Sequence, residues 1–419
     1  KAQVVKNPTF WRINILVTGG CGFMGKVLIE KLLYTIPDIG RVYLLMRPKR
    51  GKTVEQRLEH IKRTLPTQDS NFSTFKLILS LITSLMFNRL KRDQKRAVQK
   101  IILIQGDVLT DDLGISSEDM KTLSEDVSVV FHLAATLRME ATLKDSVAMN
   151  TVGTQRALSV ARRLKKLVMF VHVSTAFCYP DYDVLEEKFH DPPADPHDVI
   201  RLCEWLDDKQ VSLLTPSLLG KHPNTYTYTK RLAESMVHDA YPDMPCVIAR
   251  PSIVCPAYID PMPGWVDSLN GPVGLLLGAG KGVIRTMLCD ASIYAQVIPV
   301  DVAINAMIAL AMIEATKKKS KNIPVYNLNA GHLKPTTWGE VLNYAKEIRW
   351  KYPMSWPLWY PDGGITTNYV LHETKRILFH LVFYFDIESY LYKAVETGRV
   401  VCFKDDLSKM HIYKMYLYL

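Results

Sequence analysis

The stretch "INILVTGGCGFMGKVLIEKLL" (residues 13–33) decides the fold of this chain. Residues 13–17 form an apolar, β-branched run typical of a buried parallel strand, and apolar residues recur at helical spacing after the glycines. Between the two stand Gly19, Gly22 and Gly25, at intervals of three. Strand, glycine turn and helix predict a dinucleotide site, because glycine lets a pyrophosphate approach the free N–H groups at the helix start. The alternative is a tight turn without a ligand.

The end of the next predicted strand indicates which dinucleotide is bound. This strand, within "RVYLLMRPKRGKT" (41–53), runs into the basic residue Arg47. An acidic side chain there would hold the ribose hydroxyls of NAD, whereas an arginine suits the additional 2′-phosphate of NADP. The sequence therefore favours NADPH. A basic turn exposed to solvent is the alternative.

Two further predicted strands extend the sheet. "KIILIQGDV" (100–108) ends in Asp107 and Val108, where a carboxylate is placed to meet the adenine amino group. "VSVVFHLAA" (127–135) ends in small residues, among them Ala134, which let a backbone pass close to the cofactor. Alternating strands and helices predict a Rossmann-type α/β fold, a doubly wound parallel sheet with ligands at the carboxyl ends of its strands.

A later strand places hydroxyl groups at the same sheet edge. "LVMFVHVSTAFCYP" (167–180) is a buried run that ends in Ser174 and Thr175. Hydroxyl side chains at a strand end also serve simply as helix caps, so these two residues alone do not indicate chemistry.

The segment "TYTYTKRLAESMVHDA" (225–240) reads as a helix and supplies the reacting group. Tyr226 and Lys230 are four residues apart and so share one helix face. A tyrosine is a poor proton donor or acceptor at neutral pH, and we expect the lysine ammonium to lower its pKa and to hold the nicotinamide ribose. A preceding hydroxyl would add a hydrogen bond to the substrate oxygen. Tyr228 points off this face, which favours core packing or substrate contact.

Composition restricts the compartment and the partners. The 419 residues include seven scattered cysteines without metal-site spacing, which predicts a reducing compartment and no metal. The net charge of +10 comes from clusters such as 317–321 and favours anionic partners, either phosphates or acidic lipid surfaces, rather than nucleic acid. Solvated surface is the alternative for many of these charges. No secretory signal precedes the first strand.

Together these motifs resemble the extended short-chain dehydrogenase/reductases, and within them the alcohol-forming fatty acyl-CoA reductases. The resemblance covers about residues 12–345, and its most specific part is the block 249–290, which begins "ARPSIVCPAYIDPMPGW". It implies an NADPH-binding enzyme that reduces long-chain acyl-CoA to fatty alcohol for wax or ether-lipid synthesis. It also implies substrate-binding parts within about 180–225 and 255–345, with an acyl tunnel that includes "GPVGLLLGAGKGV" (271–283).

The resemblance assigns roles to individual residues. Tyr226 and Lys230 match the catalytic pair, and Thr175, with Ser174 as the alternative, matches the catalytic hydroxyl. Asn150 matches an asparagine that braces the active-site helix, or it is an ordinary cap. The residues matched to cofactor binding are Gly19, Gly22, Phe23, Gly25, Arg47, Asp107, Val108, Ala134, Lys230, Pro251 and Ser252, with Arg250 beside the last two.

Two regions depart from the family pattern. The apolar insertion 70–87 is short for a bilayer span and suggests either an interfacial segment or sequence from a mis-spliced intron. Residues 346–419 begin like the family's helical C-terminal domain and stop early, so we expect a truncated domain. The run "ILFHLVFYF" (377–385) favours attachment to a membrane surface, on the cytosolic side of the endoplasmic reticulum or the peroxisome.

Two other functions compete with this interpretation. One is an extended-family enzyme that acts on a nucleotide sugar or a sterol. The other, from a different class, is a non-catalytic NADP-binding protein or an inactive fragment.

Overall fold

The computed structural model describes residues 13–47, 86–330, 335–354, 357, 360–361 and 363–382. The chain divides into two compact units. The first comprises Lys1–Asp267 and Ile298–Asn329, and the second Ser268–Val297 and Ala330–Leu419. Of the apolar stretch 70–87, the structure describes only Met86 and Phe87, both buried; the rest of that stretch lies outside the described residues.

A seven-stranded parallel sheet forms the centre of the first unit, in the order β10-β6-β5-β4-β1-β2-β3. All six pairings between its strands are parallel. In chain order the strands of the structure are β1 (Ile15–Thr18), β2 (Val42–Met46), β3 (Ile101–Gln105), β4 (Val129–His132), β5 (Met169–Val173), β6 (Cys246–Pro251), β7 (Ile253–Cys255), β8 (Thr286–Leu288), β9 (Val297–Pro299), β10 (Val325–Leu328) and β11 (Gly364–Thr366).

Helices of the first unit cover both faces of this sheet. In chain order the helices are α1 (Phe23–Thr35), α2 (Asn88–Asp93), α3 (Ser117–Asp126), α4 (Leu143–Ser146), α5 (Gly153–Arg162), α6 (Pro196–Trp205), α7 (Asp208–Leu219), α8 (Thr225–Ala240), α9 (Pro272–Gly280), α10 (Val300–Thr316), α11 (Trp338–Lys351) and α12 (Tyr369–Arg376). A π-helical turn (Val147–Val152) joins α4 to α5. Helices α3, α5 and α8 share one apolar core with alternate residues of the strands, while α1 packs beside α10.

This arrangement confirms the predicted doubly wound parallel sheet. Chain order reverses between β1 and β4, which are neighbours in the sheet. Loops leave the carboxyl ends of these two strands in opposite directions, and the resulting crevice is where open α/β sheets bind ligands. The predicted cofactor and catalytic residues follow the strands at this edge.

The second unit contains a small parallel sheet of β8 and β11 and the helices α9, α11 and α12. The glycines of α9 permit close packing inside this unit: a Cβ on Gly278 would lie 2.8 Å from Ile284 Cδ1. Helix α9 is the described part of the predicted acyl tunnel, which stays a prediction.

Candidate active site

The glycine turn lies at the carboxyl end of β1, against the end of β4. Gly19 has a φ of +73°, and a Cβ on it would lie 2.7 Å from the Ala134 nitrogen. A Cβ on Gly25 would collide with the Gly19 carbonyl oxygen. Both positions therefore require glycine, one for its backbone conformation and both for close approach. The small side chain of Ala134 belongs to the same contact.

The residues around this turn fit a dinucleotide. Gly22, which caps α1, offers no side chain to bond the first N–H groups of the helix. At the end of β6, Pro251 accepts a hydrogen bond from the Ala176 nitrogen at 3.0 Å, so the ends of β5 and β6 lie together. The Ser252 hydroxyl is buried and bonds to none of the described residues. Helix N–H groups suit a pyrophosphate, and a buried free hydroxyl suits a polar ligand group.

The ends of β2 and β3 carry a charged pair. Arg47 Nη1 lies 3.5 Å from Asp107 Oδ2, and the arginine side chain is 53% exposed. Asp107 Oδ1 also accepts a hydrogen bond from the Leu109 nitrogen, which fixes the carboxylate. Val108 is buried and packs on Gly153. The structure thus brings the predicted 2′-phosphate and adenine residues to one place at the sheet edge.

Tyr226 lies in the first turn of α8. Asn224 begins this helix by accepting a hydrogen bond from the Thr227 nitrogen at 3.0 Å. The Thr175 side chain lowers the pKa of the Tyr226 phenol, against the effect of burial. The cap therefore fixes where the helix starts, and the helix start places the phenol beside the hydroxyl that follows β5.

Ser174 has different partners. Its side chain is buried, and its Oγ lies 3.7 Å from Cys178 Sγ. Of the two predicted hydroxyl residues, Thr175 is the one whose side chain affects the pKa of the phenol. Tyr228, the neighbouring tyrosine of α8, is fully buried in the core, as its position off the Tyr226 face predicts.

Lys230 is buried, one helical turn after Tyr226. Its Nζ donates a hydrogen bond to the Val173 carbonyl oxygen at 2.6 Å. Burial lowers the pKa of Lys230 to about 8, and the negative charge of Glu234 opposes that shift. Burial holds the pKa values of His132 and His172 below the usual range, and the positive charge of Lys230 lowers them further. These histidines are in register on β4 and β5, with ring centroids 5.7 Å apart.

The structure does not show the expected lowering of the Tyr226 pKa. Burial raises this pKa, the nearby Cys178 thiol raises it further, and only the Thr175 side chain opposes these effects. Desolvation disfavours the phenolate more strongly than the surroundings favour it. The phenol of this structure therefore carries its proton at neutral pH.

Asn150 joins the π-helical turn to α8. Its Oδ1 accepts a hydrogen bond from the Thr136 nitrogen at 2.8 Å, and its Nδ2 donates to Thr229 Oγ1 at 3.0 Å. The side chain is fully buried. It bonds the helix at the residue next to Lys230, which is the bracing position that the resemblance implies.

The sequence interpretation overlooked one charged group beside the site. Glu234 and Arg250 are both fully buried and form an ion pair with Nη2 and Oε2 2.7 Å apart. Arg250, which the resemblance places beside Pro251 and Ser252, has its guanidinium engaged by this carboxylate. The spacing offered a signal: Glu234 follows Lys230 by one helical turn, as Lys230 follows Tyr226.

A family model described as Male sterility protein, an NAD-binding domain, matches residues 17–307. The chain is 37% identical over 367 residues to fatty acyl-CoA reductase 1 of Xenopus laevis, covering 87% of this chain and 67% of that protein. It is 36% identical over 404 residues to fatty acyl-CoA reductase 1 of Gallus gallus, covering 96% and 74%. This chain belongs to the fatty acyl-CoA reductase family. The family confirms the resemblance and identifies the chain as an oxidoreductase with a nicotinamide-binding domain.

Solved structures agree on the fold of this reductase. The reductase domain of a nonribosomal peptide synthetase from Mycobacterium tuberculosis superposes with a TM-score of 0.55 at 18% identity, covering 86% of this chain and 75% of that one. UDP-glucuronic acid 4-epimerase from Bacillus cereus, in complex with NAD, gives 0.52 at 18% identity, covering 84% and 86%. At these identities the likeness concerns the fold alone.

Among the helices in the described ranges, none has both the length and the apolar composition that crossing a bilayer requires.

Proposed function

We propose that this reductase converts long-chain fatty acyl-CoA to fatty alcohol with NADPH as the hydride donor. The observation that carries the proposal is the hydrogen bond from Lys230 Nζ to the Val173 carbonyl oxygen at 2.6 Å, which ties the helix of Tyr226 to the strand that Thr175 follows, at the sheet edge that holds the glycine turn. Membership of the family, with relatives named for acyl-CoA reduction, supports the substrate class. Arg47 at the end of β2 supports NADPH, because a guanidinium suits a phosphate.

The side chains have distinct tasks in this reaction. Bound NADPH would supply the hydride of each reduction. Tyr226, which keeps its proton at neutral pH, donates a hydrogen bond and then the proton to the substrate oxygen as negative charge develops there. Thr175 donates a second hydrogen bond to that oxygen. Lys230, when protonated, places a positive charge one helical turn after Tyr226 and is the residue that would hold the nicotinamide ribose.

The reaction balances over two reductions. In the first, the thioester carbonyl carbon accepts a hydride, its C–S bond breaks and CoA leaves as the thiol, which leaves an aldehyde. In the second, the aldehyde carbon accepts a hydride and its oxygen takes the proton of Tyr226. One acyl-CoA therefore consumes two NADPH and two protons and yields one alcohol and one CoA.

Product analysis tests this proposal. The purified chain is incubated with palmitoyl-CoA and NADPH, and hexadecanol, hexadecanal and NADPH consumption are measured by mass spectrometry and absorbance. We expect hexadecanol, with two NADPH oxidised for each molecule formed. Conversion of UDP-sugars without alcohol would point to the nucleotide-sugar alternative, and NADPH binding without turnover of any acyl-CoA to a non-catalytic protein.

We also propose that the chain associates with a membrane surface on the cytosolic side of the endoplasmic reticulum or the peroxisome. In support, Ile377 and Leu378 are 47% and 51% exposed, directly after the basic residues at the end of α12. Apolar side chains next to basic ones suit an anionic lipid surface. The test is flotation with vesicles of phosphatidylcholine and phosphatidylserine. Replacing both residues by aspartate should abolish flotation, and unchanged flotation would exclude this site.

A further inference from the structure

Glu234 occupies the helical turn that follows Lys230 in α8, and it is fully buried. Its carboxylate accepts hydrogen bonds from Arg250, with Nε at 2.9 Å and Nη2 at 2.7 Å. It also accepts one from the Tyr179 hydroxyl at 2.7 Å. A buried carboxylate that receives hydrogen bonds from a cation and from a hydroxyl group is held in a single position.

The same cluster anchors the backbone that follows β5. Arg250 donates from Nη1 to the Glu186 carbonyl oxygen at 3.2 Å and from Nη2 to the Lys188 carbonyl oxygen at 3.1 Å. The Tyr179 ring contacts two guanidinium groups, with Arg250 at 4.5 Å and Arg231 at 4.6 Å from its centroid. The segment from Tyr179 to Lys188 is therefore fixed by charged groups in the interior.

Cys178 connects this cluster to Thr175. Its Sγ lies 2.9 Å from the Thr175 carbonyl oxygen and 3.3 Å from Glu234 Oε1. A displacement of the carboxylate would thus be transmitted over one side chain to the turn that carries Thr175. A polar network in a buried site transmits such a change because none of its members has water as a substitute partner.

Side chains from several elements surround Lys230. The charged or titratable side chains that interact with it are His132 on β4, His172 on β5, Cys178 in the turn after β5, and Glu234 on its own helix. Of these, Glu234 opposes the loss of charge that burial imposes on the lysine. Both histidines are neutral, because burial holds their pKa values low.

We propose that Glu234 and Arg250 act as a pair of positioning residues for the reduction: the pair fixes the turn that carries Thr175. The pair acts through Cys178 and Lys230 and does not touch the reacting atoms. The inference rests on the proposed function, and its test is arranged to separate the two.

The test is the double variant Glu234→Gln with Arg250→Gln. Changing both residues removes the two charges together, so that neither is left buried without a partner. We expect a folded protein by circular dichroism that still binds NADPH. Its kcat should fall about tenfold to a hundredfold, as a misplaced reacting group causes. The pH above which kcat declines should move down by about one unit, because the lysine has lost its anionic neighbour.

A matched control uses another carboxylate–guanidinium pair, in which the carboxylate is buried and the guanidinium is partly buried. Arg89 on α2 donates to Glu30 on α1 from Nε at 2.7 Å and from Nη2 at 2.8 Å. Their double glutamine variant should change stability and leave both kcat and the pH profile as in the wild type.

Each outcome decides the question. If the Glu234 and Arg250 double variant does not fold, Tyr179→Phe removes one hydrogen bond to the carboxylate; a downward shift of the pH profile with kcat about two- to fivefold lower supports the inference. Wild-type kcat and pH profile in either folded variant would overturn it. A wild-type protein that makes no alcohol, or one that is insensitive to Tyr226→Phe, would instead refute the proposed function.

Discussion

At the residue scale, burial determines the protonation of Tyr226 and Lys230, the two side chains at the centre of the site. It keeps the proton on the Tyr226 phenol by raising its pKa, and it lowers the pKa of Lys230 to about 8. A protonated phenol suits reduction, because the substrate oxygen must gain a proton. A lysine with this pKa is mostly charged at neutral pH and loses its charge within the range of ordinary buffers.

The first prediction follows from the lysine. Its protonated form supports the reaction, so kcat should be constant below about pH 8 and fall about tenfold per pH unit above it. The Tyr226 pKa is raised above its usual range and therefore does not produce this decline. The measurement is kcat at saturating palmitoyl-CoA and NADPH between pH 6 and about 9.5, with circular dichroism to show that the fold persists. A flat profile would contradict the role of Lys230.

The second prediction concerns Arg47, which lies beside Asp107. Arg47→Ala removes the charge-assisted bond to the 2′-phosphate and leaves the Asp107 carboxylate facing that phosphate. Kd for NADPH should therefore rise about tenfold to a hundredfold. Kd for NADH should change less than about twofold, since it has no such phosphate. Arg41→Ala, at the other end of the same strand and paired with Asp126, is the control. An equal rise in Kd for both cofactors would contradict the proposed contact between Arg47 and the 2′-phosphate.

How much of the site can be predicted differs from residue to residue. The spacing of Tyr226 and Lys230, and the strand before Thr175, are enough to place these three residues on neighbouring elements at one edge of the sheet. The direction of the Tyr226 pKa shift cannot be predicted from the spacing, because it depends on how completely the phenol is desolvated. The Glu234 and Arg250 pair joins a helix to a strand, and the sequence does not show that contact directly.

At the scale of elements, the glycine turn controls cofactor binding. Gly25→Ala would drive a methyl group into the Gly19 carbonyl oxygen. We expect loss of measurable NADPH binding and about 1–3 kcal/mol lower stability, by fluorescence titration and urea denaturation. Gly364→Ala is the control, because a Cβ there meets nothing within 4 Å. Unchanged NADPH affinity in Gly25→Ala would contradict the assignment of the turn.

The order of the elements was predictable and the irregular ones were not. Apolar strands alternating with amphipathic helices imply the doubly wound sheet, because both faces must be covered. The π-helical turn Val147–Val152 has no such signature. It places Asn150 against Thr136 and Thr229, which are distant in the sequence from each other, so only the folded chain shows its purpose.

At the scale of the whole molecule, cofactor binding and stability are coupled. NADPH at about one hundred times its Kd should stabilise the folded protein by about 2.7 kcal/mol, provided that the unfolded chain does not bind it. The unfolding midpoint of the unit that contains the sheet should rise by several degrees in calorimetry. Gly25→Ala should show no rise. Absence of a shift in the wild type would mean that this unit does not bind the cofactor.

The central claim is that the Tyr226 phenol protonates the oxygen of the substrate. The most direct measurement is kcat with palmitoyl-CoA and NADPH for Tyr226→Phe against Tyr228→Phe. Each variant removes one hydroxyl from α8, and that of Tyr228 is buried without a partner among the described residues. We predict a loss of about a hundredfold or more for Tyr226→Phe, with NADPH affinity retained, and a wild-type rate for Tyr228→Phe. Equal rates in the two variants would contradict the claim.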